Sequence, residues 1–210
     1  MKKSIKWLIL GAILSLLAGQ VIAQNCYTNA GCQNYSNFGI YSSNPNDLEY
    51  DNFISSFHST IVREIDGSLK IWGQYSKKDG TGSWLVPTTI NAANFGITGT
   101  PLKAALGSRG NAIQHILLTN DNKLWAWGSA GTVVSSTMGG SAPISSFSLP
   151  ATVYSSDVKM LFGTYLTLVL VTCDGDVYVT SQTDYNRGNG NTGNDNTWYK
   201  VQKAGGTANT

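Results

Sequence analysis

The stretch STIVREIDGSLKIWG, residues Ser59–Gly73, decides the fold, because related copies of it recur along the chain. The second copy reads QHILLTNDNKLWAWG (Gln114–Gly128) and the third reads LTLVLVTCDGDVYVTS (Leu166–Ser181). Each copy is an apolar run, a turn that contains an aspartate, and a second apolar run. The aspartates are 55 and 53 residues apart and are Asp66, Asp121 and Asp174. Such a fixed period indicates repeats of one supersecondary unit, as in propeller blades or solenoid coils.

The turns in these copies predict β-hairpins. Asp66-Gly67 and Asp174-Gly175 are dipeptides that tolerate positive φ in a tight turn, and Asp121-Asn122 occupies the matching place. A further strand is expected before each copy, at Leu48–Tyr50, Leu102–Leu106 and Val158–Phe162. Another is expected after each copy, at Pro87–Ile90, Pro150–Val153 and Trp198–Val201. Four strands are the content of one propeller blade. We therefore expect an all-β fold, a partial β-propeller of about three blades, within residues 48–97, 98–155 and 156–201.

The repeated residues resemble the regulator-of-chromosome-condensation (RCC1) repeat, and the resemblance covers about Leu48 to Val201. The shared pattern is a strand, an Asp-Gly turn, Leu or Val followed by Trp-Gly, a polar loop and a Pro-x-x-Ile/Val strand. Its members here are Asp66, Gly67, Leu69, Trp72, Gly73, Pro87 and Ile90, then Asp121, Leu124, Trp127, Gly128, Pro150 and Val153, then Asp174, Gly175, Val177, Tyr178 and Val201. Asn122 replaces the turn glycine, and Thr180-Ser181 replaces Trp-Gly. The resemblance implies a β-propeller, here of a secreted bacterial type.

Residues 1–23 are typical of a secretory signal peptide. Lysines at positions 2, 3 and 6 precede an apolar run from Trp7 to Gly19, and Val21-Ile22-Ala23 fits a cleavage site. An uncleaved anchor is the alternative, although the run is shorter than the ~20 residues of a spanning helix. We expect a secreted or cell-surface protein, with the periplasm as a further possibility and no membrane span after cleavage. The nuclear exchange activity of the resembled family does not carry over to an exported chain.

Cleavage would change the net charge from +2 to −1, since it removes three lysines and no acid. A nearly neutral chain without a basic cluster argues against nucleic-acid binding. A polar segment, residues 24–47, would then precede the first blade, and residues 202–210 would begin a missing blade. An open arc leaves apolar blade faces in water. We therefore expect further blades, either from a longer form of the same chain or from another copy.

The three cysteines would meet oxidising conditions after export. Cys26 and Cys32 lie six residues apart in CYTNAGC, and this spacing favours a small disulfide-closed loop. A metal site is the alternative, but no histidine or further cysteine lies nearby in sequence to complete a ligand set. Cys173 is then left over, and we expect it to be a small buried strand residue.

No cofactor, metal or catalytic site is predicted, and we expect the chain not to be an enzyme. The sequence has two histidines, His58 and His115, and lacks the nucleophile-elbow, zincin and Walker motifs. A metal or acid/base pair of histidines, as in a propeller lyase or hydrolase, is the alternative to two ordinary strand residues. Asp174 and Asp176 flank a turn glycine, which favours hairpin solvation over glycosidase chemistry. The loop Asn186–Thr197 is rich in side-chain oxygens, but a flexible polar loop fits it better than a calcium site does.

Two tryptophans are the candidate ligand-binding residues. Trp84 and Trp198 lie in or beside expected loops, whereas Trp72 and Trp127 recur at one repeat position and are expected in the core. Exposed aromatic residues at a propeller rim suit the binding of proteins or glycans. The function expected is a secreted, non-catalytic binding module that recognises a protein or a glycan through its loops. The alternatives are a structural or surface segment of a larger exported protein and a fragment of a propeller lyase or hydrolase.

Overall fold

A computed structural model describes residues 53–56, 58–64, 66–129, 131–134, 140–181 and 197–201. These residues form three four-stranded antiparallel sheets. The first sheet comprises β1 (Phe53–Ser56), β2 (Ser59–Arg63), β3 (Leu69–Gly73) and β4 (Trp84–Thr89). The second comprises β5 (Pro101–Arg109), β6 (Ala112–Thr119), β7 (Lys123–Gly128) and β8 (Gly140–Ser148). The third comprises β9 (Val158–Gly163), β10 (Thr167–Thr172), β11 (Val177–Ser181) and β12 (Tyr199–Lys200).

In every sheet the strands are paired in chain order, so each sheet is one meander and corresponds to one blade. The expected all-β architecture of three four-stranded blades is therefore confirmed. Helical structure in the described part is limited to α1 (Ala92–Phe95) and a 3-10 turn at Ser155–Asp157. Asn91 caps α1, since its side chain accepts a hydrogen bond from the Asn94 N–H at 2.9 Å.

The blades stack face to face, and their inner strands β1, β5 and β9 lie side by side. The middle blade faces both neighbours because alternate residues of a strand point to opposite faces. One face of β6 and β7, with Leu117, Trp125 and Trp127, packs against the first blade and Phe95 of α1. The other face packs against the third blade, through Ile116, Leu118, Leu124 and Ala126.

Hydrogen bonds from the hairpin turns also link successive blades. In the first blade the Arg63 guanidinium donates to Gly67 O of its own turn at 2.9 Å and to Leu102 O of the next blade. In the second blade Asn122 Oδ1 accepts a hydrogen bond from the Ser155 N–H at 2.8 Å, just before β9. The first two hairpins therefore reverse the chain and also form hydrogen bonds to the beginning of the following blade.

The Trp-Gly glycines occupy positions where a side chain would collide with backbone. Gly73 and Gly128 have φ of +105° and +102°. A Cβ on Gly73 would lie 2.2 Å from His58 O, and one on Gly128 would lie 2.4 Å from Ile113 O. In the first two blades the following N–H donates to that same carbonyl. In the third blade Ser181 stands at the position of the glycine, and its side-chain hydroxyl donates to the equivalent carbonyl, Leu166 O.

Two local predictions are wrong, those for the fourth strand of the second blade and for Cys173. The fourth strand of the second blade is Gly140–Ser148, whereas Pro150–Val153 forms a turn. Trp84, expected in or beside a loop, is the first residue of β4 and directly follows the loop after β3. Cys173 lies half-buried in the turn after β10, so it is not a buried strand residue.

Several other predictions fall outside the described residues. They are the signal peptide (1–23), the polar segment (24–47) with Cys26 and Cys32, the first-strand candidate Leu48–Tyr50, the oxygen-rich loop around Asn186–Thr197, and the tail (202–210). In the described part, the first blade begins with β1 at Phe53.

Candidate functional site

An apolar bulge projects from the outer strand of the first blade. In β4, Trp84 is paired with Gly73 and Thr88 with Ile71, so the three residues Leu85–Pro87 lie opposite the single residue Trp72. A bulge of this kind disrupts the ladder and re-aims side chains. Leu85 is 90 % exposed and Val86 is 63 % exposed. We call Trp84, Leu85, Val86 and Pro87 the rim patch.

Trp84 anchors the rim patch to the core. Its N–H donates to Ser76 Oγ at 2.7 Å, and its half-buried ring packs against the core between the first two blades. Lys77 Nζ lies 5.1 Å from the centroid of the ring, within the range of a cation–π contact. The buried Nε1 of Trp84 has no hydrogen-bond partner in the described part of the chain. Trp84 can therefore support a binding surface, while Leu85 and Val86 offer its accessible apolar area.

Trp198, the other candidate from the sequence, lies in a different environment. It is half-buried, it packs against the core between the second and third blades, and its Nε1 donates to Ser148 O at 3.0 Å. That bond joins the third blade to the end of β8 in the second. The structure therefore places Trp84 and Trp198 on separate cores and does not bring them together into one site.

A second apolar surface lies where the inner strands of the three blades meet. Its cavity measures about 410 Å³ and is lined by β1, β5 and β9. Phe53 and Phe162, which line it, are 65 % and 40 % exposed. The remaining lining residues are Ile54, Ser55, Leu106, Met160, Leu161 and Gly163. We call this surface the inner groove.

The two histidines occupy unlike environments. His58 is exposed in the turn between β1 and β2, whereas His115 is fully buried in β6. The His115 ring stacks on Trp127 with a centroid distance of 5.1 Å, and burial lowers the pKa of His115 to about 3. A neutral, buried imidazole of this kind is a packing element with no access to substrate. Within the described ranges, no group of three His, Cys, Asp or Glu side chains is arranged to hold a metal ion.

The turn carboxylates are held by local hydrogen bonds. Burial works to raise the pKa of Asp121, but hydrogen bonds from Thr119, Thr98 and Lys123 outweigh it and lower that pKa to about 2. In the third blade, Asp176 pairs with Lys200 at 2.8 Å, and this contact raises the pKa of Lys200. In the first blade the Ser68 N–H donates to Asp66 Oδ1 at 2.9 Å, so the repeat aspartates Asp66 and Asp121 both hold their turns. In the part of the chain that can be described, no helix is both long and apolar enough to cross a membrane.

The sequence predicts only part of the rim patch. Trp84 stands out there, but Leu85 and Val86 read as ordinary strand residues. Pro87 is the available signal, because proline lacks an N–H and is confined to edge strands or bulges.

Comparisons with known proteins agree with the fold. No family model matches the chain, and no curated protein matches it. Among solved structures, human WBSCR16 matches with a TM-score of 0.53 and 16 % identity over 75 % of this chain and 41 % of that one. Prp20p from Saccharomyces cerevisiae matches with a TM-score of 0.50 and 15 % identity, covering 83 % of this chain and 45 % of that one. The chain thus has the fold of an RCC1-type β-propeller and spans less than half the length of these two proteins.

Proposed function

We propose that this chain is a non-catalytic binding module and that it binds a protein through the rim patch. The observation that carries the proposal is the exposure of Leu85, at 90 %, on the outer strand of a blade. Val86 and Pro87 extend the apolar surface beside it. Contiguous exposed apolar residues with a polar surround are typical of protein interaction sites.

The chemistry of the rim patch favours a protein partner over a glycan. A glycan site needs hydrogen-bonding side chains around an accessible aromatic face. Here Lys77 lies over the Trp84 ring, and the residues that follow Trp84 are aliphatic or proline. Trp84 and Lys77 together would form the amphipathic edge of a protein interface, since aromatic residues are enriched among interface hot spots.

The fold is one that serves protein binding elsewhere. The work on yeast Prp20p describes its binding to Gsp1p and histones. That example supports protein recognition as the class of function, and it does not identify the partner of this chain. The bulge at Leu85–Pro87 is the local feature on which recognition here would depend.

We also propose that residues 1–23 direct export and that the module acts outside the cytoplasm. The support is the order of basic, apolar and small residues in this segment. Amino-terminal sequencing of the protein from an exporting host tests this part on its own. A mature chain that starts near Gln24 is expected, and a chain that keeps Met1 would contradict export.

The binding proposal is tested with two probes, a phage-displayed random peptide library and a glycan array. Both are presented to the wild-type chain, to a Leu85→Asp/Val86→Asp variant and to a Tyr165→Asp control. Tyr165 is 59 % exposed on the third blade, so the control removes apolar surface away from the rim patch. We expect peptides with apolar residues to bind the wild type and the control. Binding to the rim variant should weaken by at least about tenfold, the equivalent of about 1.4 kcal/mol.

Two outcomes would overturn the proposal. Peptides that bind the rim variant as tightly as the wild type would place the site elsewhere, with the inner groove as the next surface to mutate. Selective glycan binding without any peptide binding would replace the protein partner by a sugar.

A further inference from the structure

We propose that the rim patch selects a peptide segment in which an acidic side chain stands beside apolar ones, and that it binds this segment through side chains without adding it to the sheet as a strand. This selectivity belongs to the surface proposed above as the protein-binding site, so it rests on that proposed function. Two features of the first blade carry it. One is a positive charge held at one end of the rim patch, and the other is an outer backbone edge that is closed to a further strand.

The positive charge is that of Lys77, and the loop before β4 fixes its position. The Lys77 N–H donates to Gly82 O at 3.2 Å, and the Gly80 N–H donates to Lys77 O at 2.8 Å. The stem of Lys77 lies across Gly82, where an added Cβ would be only 2.7 Å from Lys77 Cδ. Its ammonium lies 5.1 Å from the centroid of the Trp84 ring, a distance at which the ring attracts a cation. The charge is therefore held beside the first residue of the rim patch.

No acid among the described residues forms an ion pair with Lys77. The carboxylate nearest in sequence, Asp79, accepts hydrogen bonds through Oδ1 from the N–H groups of Thr81 and Gly82, at 3.0 and 3.2 Å. The lysine–acid pairs in the described ranges are formed elsewhere, by Lys70–Glu64, Lys123–Asp121 and Lys200–Asp176. Lys78 adds an exposed second positive charge next to Lys77. An incoming carboxylate would therefore find lysine donors beside the apolar residues of the rim patch.

The outer edge of β4 is closed to strand addition over residues 86–89. An added strand needs a row of open N–H and C=O groups on the edge that it joins. Asn94 Nδ2 donates to Thr89 O at 2.8 Å and occupies that carbonyl. Thr88 Oγ1 donates to Val86 O at 3.1 Å, and Pro87 has no N–H to offer. A partner can therefore gain contacts here from exposed side chains but not from a continuous backbone ladder.

The two features specify complementary parts of a partner. Leu85, which is 90 % exposed, can bury apolar side chains, and this burial supplies most of the affinity. The lysines beside it supply selectivity, because complementary charges determine which partners are accepted more than how tightly they bind. A surface ion pair changes an affinity by up to about fivefold.

Rim-dependent peptides are the probe, defined as library peptides that bind the wild-type chain but not a neutral Leu85→Ser/Val86→Ser variant. A neutral variant is used because aspartates at these positions would repel acidic peptides whatever the role of Lys77. We expect Asp or Glu to be enriched next to the apolar residues of rim-dependent peptides, relative to the unselected library. Rim-dependent peptides without this enrichment would overturn the selectivity and leave protein binding at the rim patch intact. A library that yields no rim-dependent peptide would overturn the proposed function, and the selectivity with it.

The affinity of these peptides is then measured for a Lys77→Gln/Lys78→Gln variant and an Arg109→Gln/Lys159→Gln control. The control also removes two positive charges, but from the second and third blades. We expect the Lys77/Lys78 variant to bind about three- to fivefold more weakly and the control to bind like the wild type. The difference should disappear in about 1 M salt, where the Debye length is about 3 Å. Equal binding by the Lys77/Lys78 variant and the wild type at low salt would overturn the selectivity.

Gly82→Ala separates the position of Lys77 from its charge. The added methyl group would displace the Lys77 stem, while both lysines remain. The variant should lose part of the preference for acidic peptides and keep a urea midpoint of unfolding near that of the wild type. A wild-type preference in Gly82→Ala would contradict the role assigned to the contact between Lys77 and Trp84.

An N-methyl scan of one rim-dependent peptide tests how its backbone takes part in binding. A peptide added as a strand should lose affinity at every second amide, because alternate N–H groups of a strand face the same neighbour. We expect no such alternation, and we expect alanine at the apolar and acidic positions of the peptide to weaken binding instead. Loss of affinity at every second amide would overturn binding through side chains.

Discussion

Ser59 Oγ lies 2.8 Å from His115 Nε2, and this buried hydrogen bond joins the first blade to the second. The Ser59 hydroxyl also donates to Trp72 O at 3.1 Å. A hydroxyl has one proton to give, so the Nε2–H of a neutral imidazole is the donor towards Ser59. A protonated imidazole would keep this Nε2–H, so it is the complete burial of His115, and not the bond to Ser59, that disfavours its charged form.

The first prediction is that stability decreases as the pH falls from 7 to 5. Burial holds the pKa of His115 in the folded protein at about 3, against about 6.5 when it is unfolded. Between these values the unfolded chain binds the additional proton, so acid favours unfolding and the stability is fully present only above pH 6.5. One such histidine is expected to cost about 2 kcal/mol between pH 7 and pH 5. Urea unfolding at both pH values measures it.

The controls for this prediction are the two histidine variants. His115→Gln keeps a donor for Ser59 but cannot titrate, and it should lose most of the pH dependence in this range. His58→Gln alters an exposed turn residue and should keep the dependence. A dependence that persists in His115→Gln would show that another group dominates, since ordinary carboxylates titrate below about pH 5.

The second prediction concerns Trp127, which is fully buried between the first two blades. Its Nε1 donates to Ser76 O at 3.0 Å, and its ring contacts Phe95 at a centroid distance of 5.3 Å. Trp127→Phe removes the donor and should cost about 1–3 kcal/mol of unfolding free energy. Trp127→Ala should cost about 3–5 kcal/mol. Trp72→Phe alters a half-buried ring at the same repeat position and is expected to cost less.

The third prediction separates backbone strain from steric collision at two glycines. Gly110 has φ of +57°, and a Cβ added there would meet open space, so Gly110→Ala should cost only the strain of about 1–2 kcal/mol. Gly128 has φ of +102°, and its Cβ would lie 2.4 Å from Ile113 O. Gly128→Ala should therefore lower the free energy of unfolding, measured in urea, by clearly more than Gly110→Ala does. Equal costs would mean that the second blade can move Ile113 without penalty.

Most of the fold could be predicted from the sequence because the repeat is local. Asp-Gly turns and strand alternation specify hairpins within about 15 residues of chain, and β2–β3, β6–β7 and β10–β11 all follow from them. The outer strands are less easily predicted from the sequence. Residues 140–148 contain glycine, serines and a proline with weak alternation, so β8 was missed, while Pro150 gave a false strand signal.

The candidate site depended on relations that sequence spacing does not contain. Trp198 lies directly before β12, beside a loop, but the sequence does not indicate that its Nε1 donates to Ser148 O of the neighbouring blade, a contact between residues 50 apart. Leu85 and Val86 are adjacent apolar residues, and the sequence around them shows no alternation of apolar and polar residues that would predict their exposure. Their exposure follows from the bulge opposite Trp72, which is a property of register.

The fourth prediction tests the link between the second and third blades. Asn122 has φ of +64°, and its Oδ1 accepts from the Ser155 N–H. Asn122→Gly relaxes the backbone but loses the acceptor, so it should destabilise by about 1 kcal/mol. Asn122→Ala loses the acceptor and keeps the strain, so it should be worse, whereas Asn122→Asp keeps an acceptor and should be nearest to the wild type. Thermal unfolding ranks the three, and Asn122→Gly at wild-type stability would show that the bond contributes nothing.

The last prediction is that the exposed residues of the rim patch can be changed without harming the fold, while Trp84 cannot. Leu85 and Val86 project from the bulge, so Leu85→Asp/Val86→Asp should change the unfolding free energy by no more than about 0.5 kcal/mol per site. Trp84→Ala removes a ring that packs against the core between the first two blades, and it should destabilise measurably in urea unfolding.

This difference decides which variant can test binding. Weaker binding by the Leu85/Val86 variant at unchanged stability would report a lost contact, whereas weaker binding by Trp84→Ala could arise from partial unfolding. If the Leu85/Val86 variant unfolds as easily as Trp84→Ala, these side chains belong to the core, and the rim patch is not a surface available to a partner.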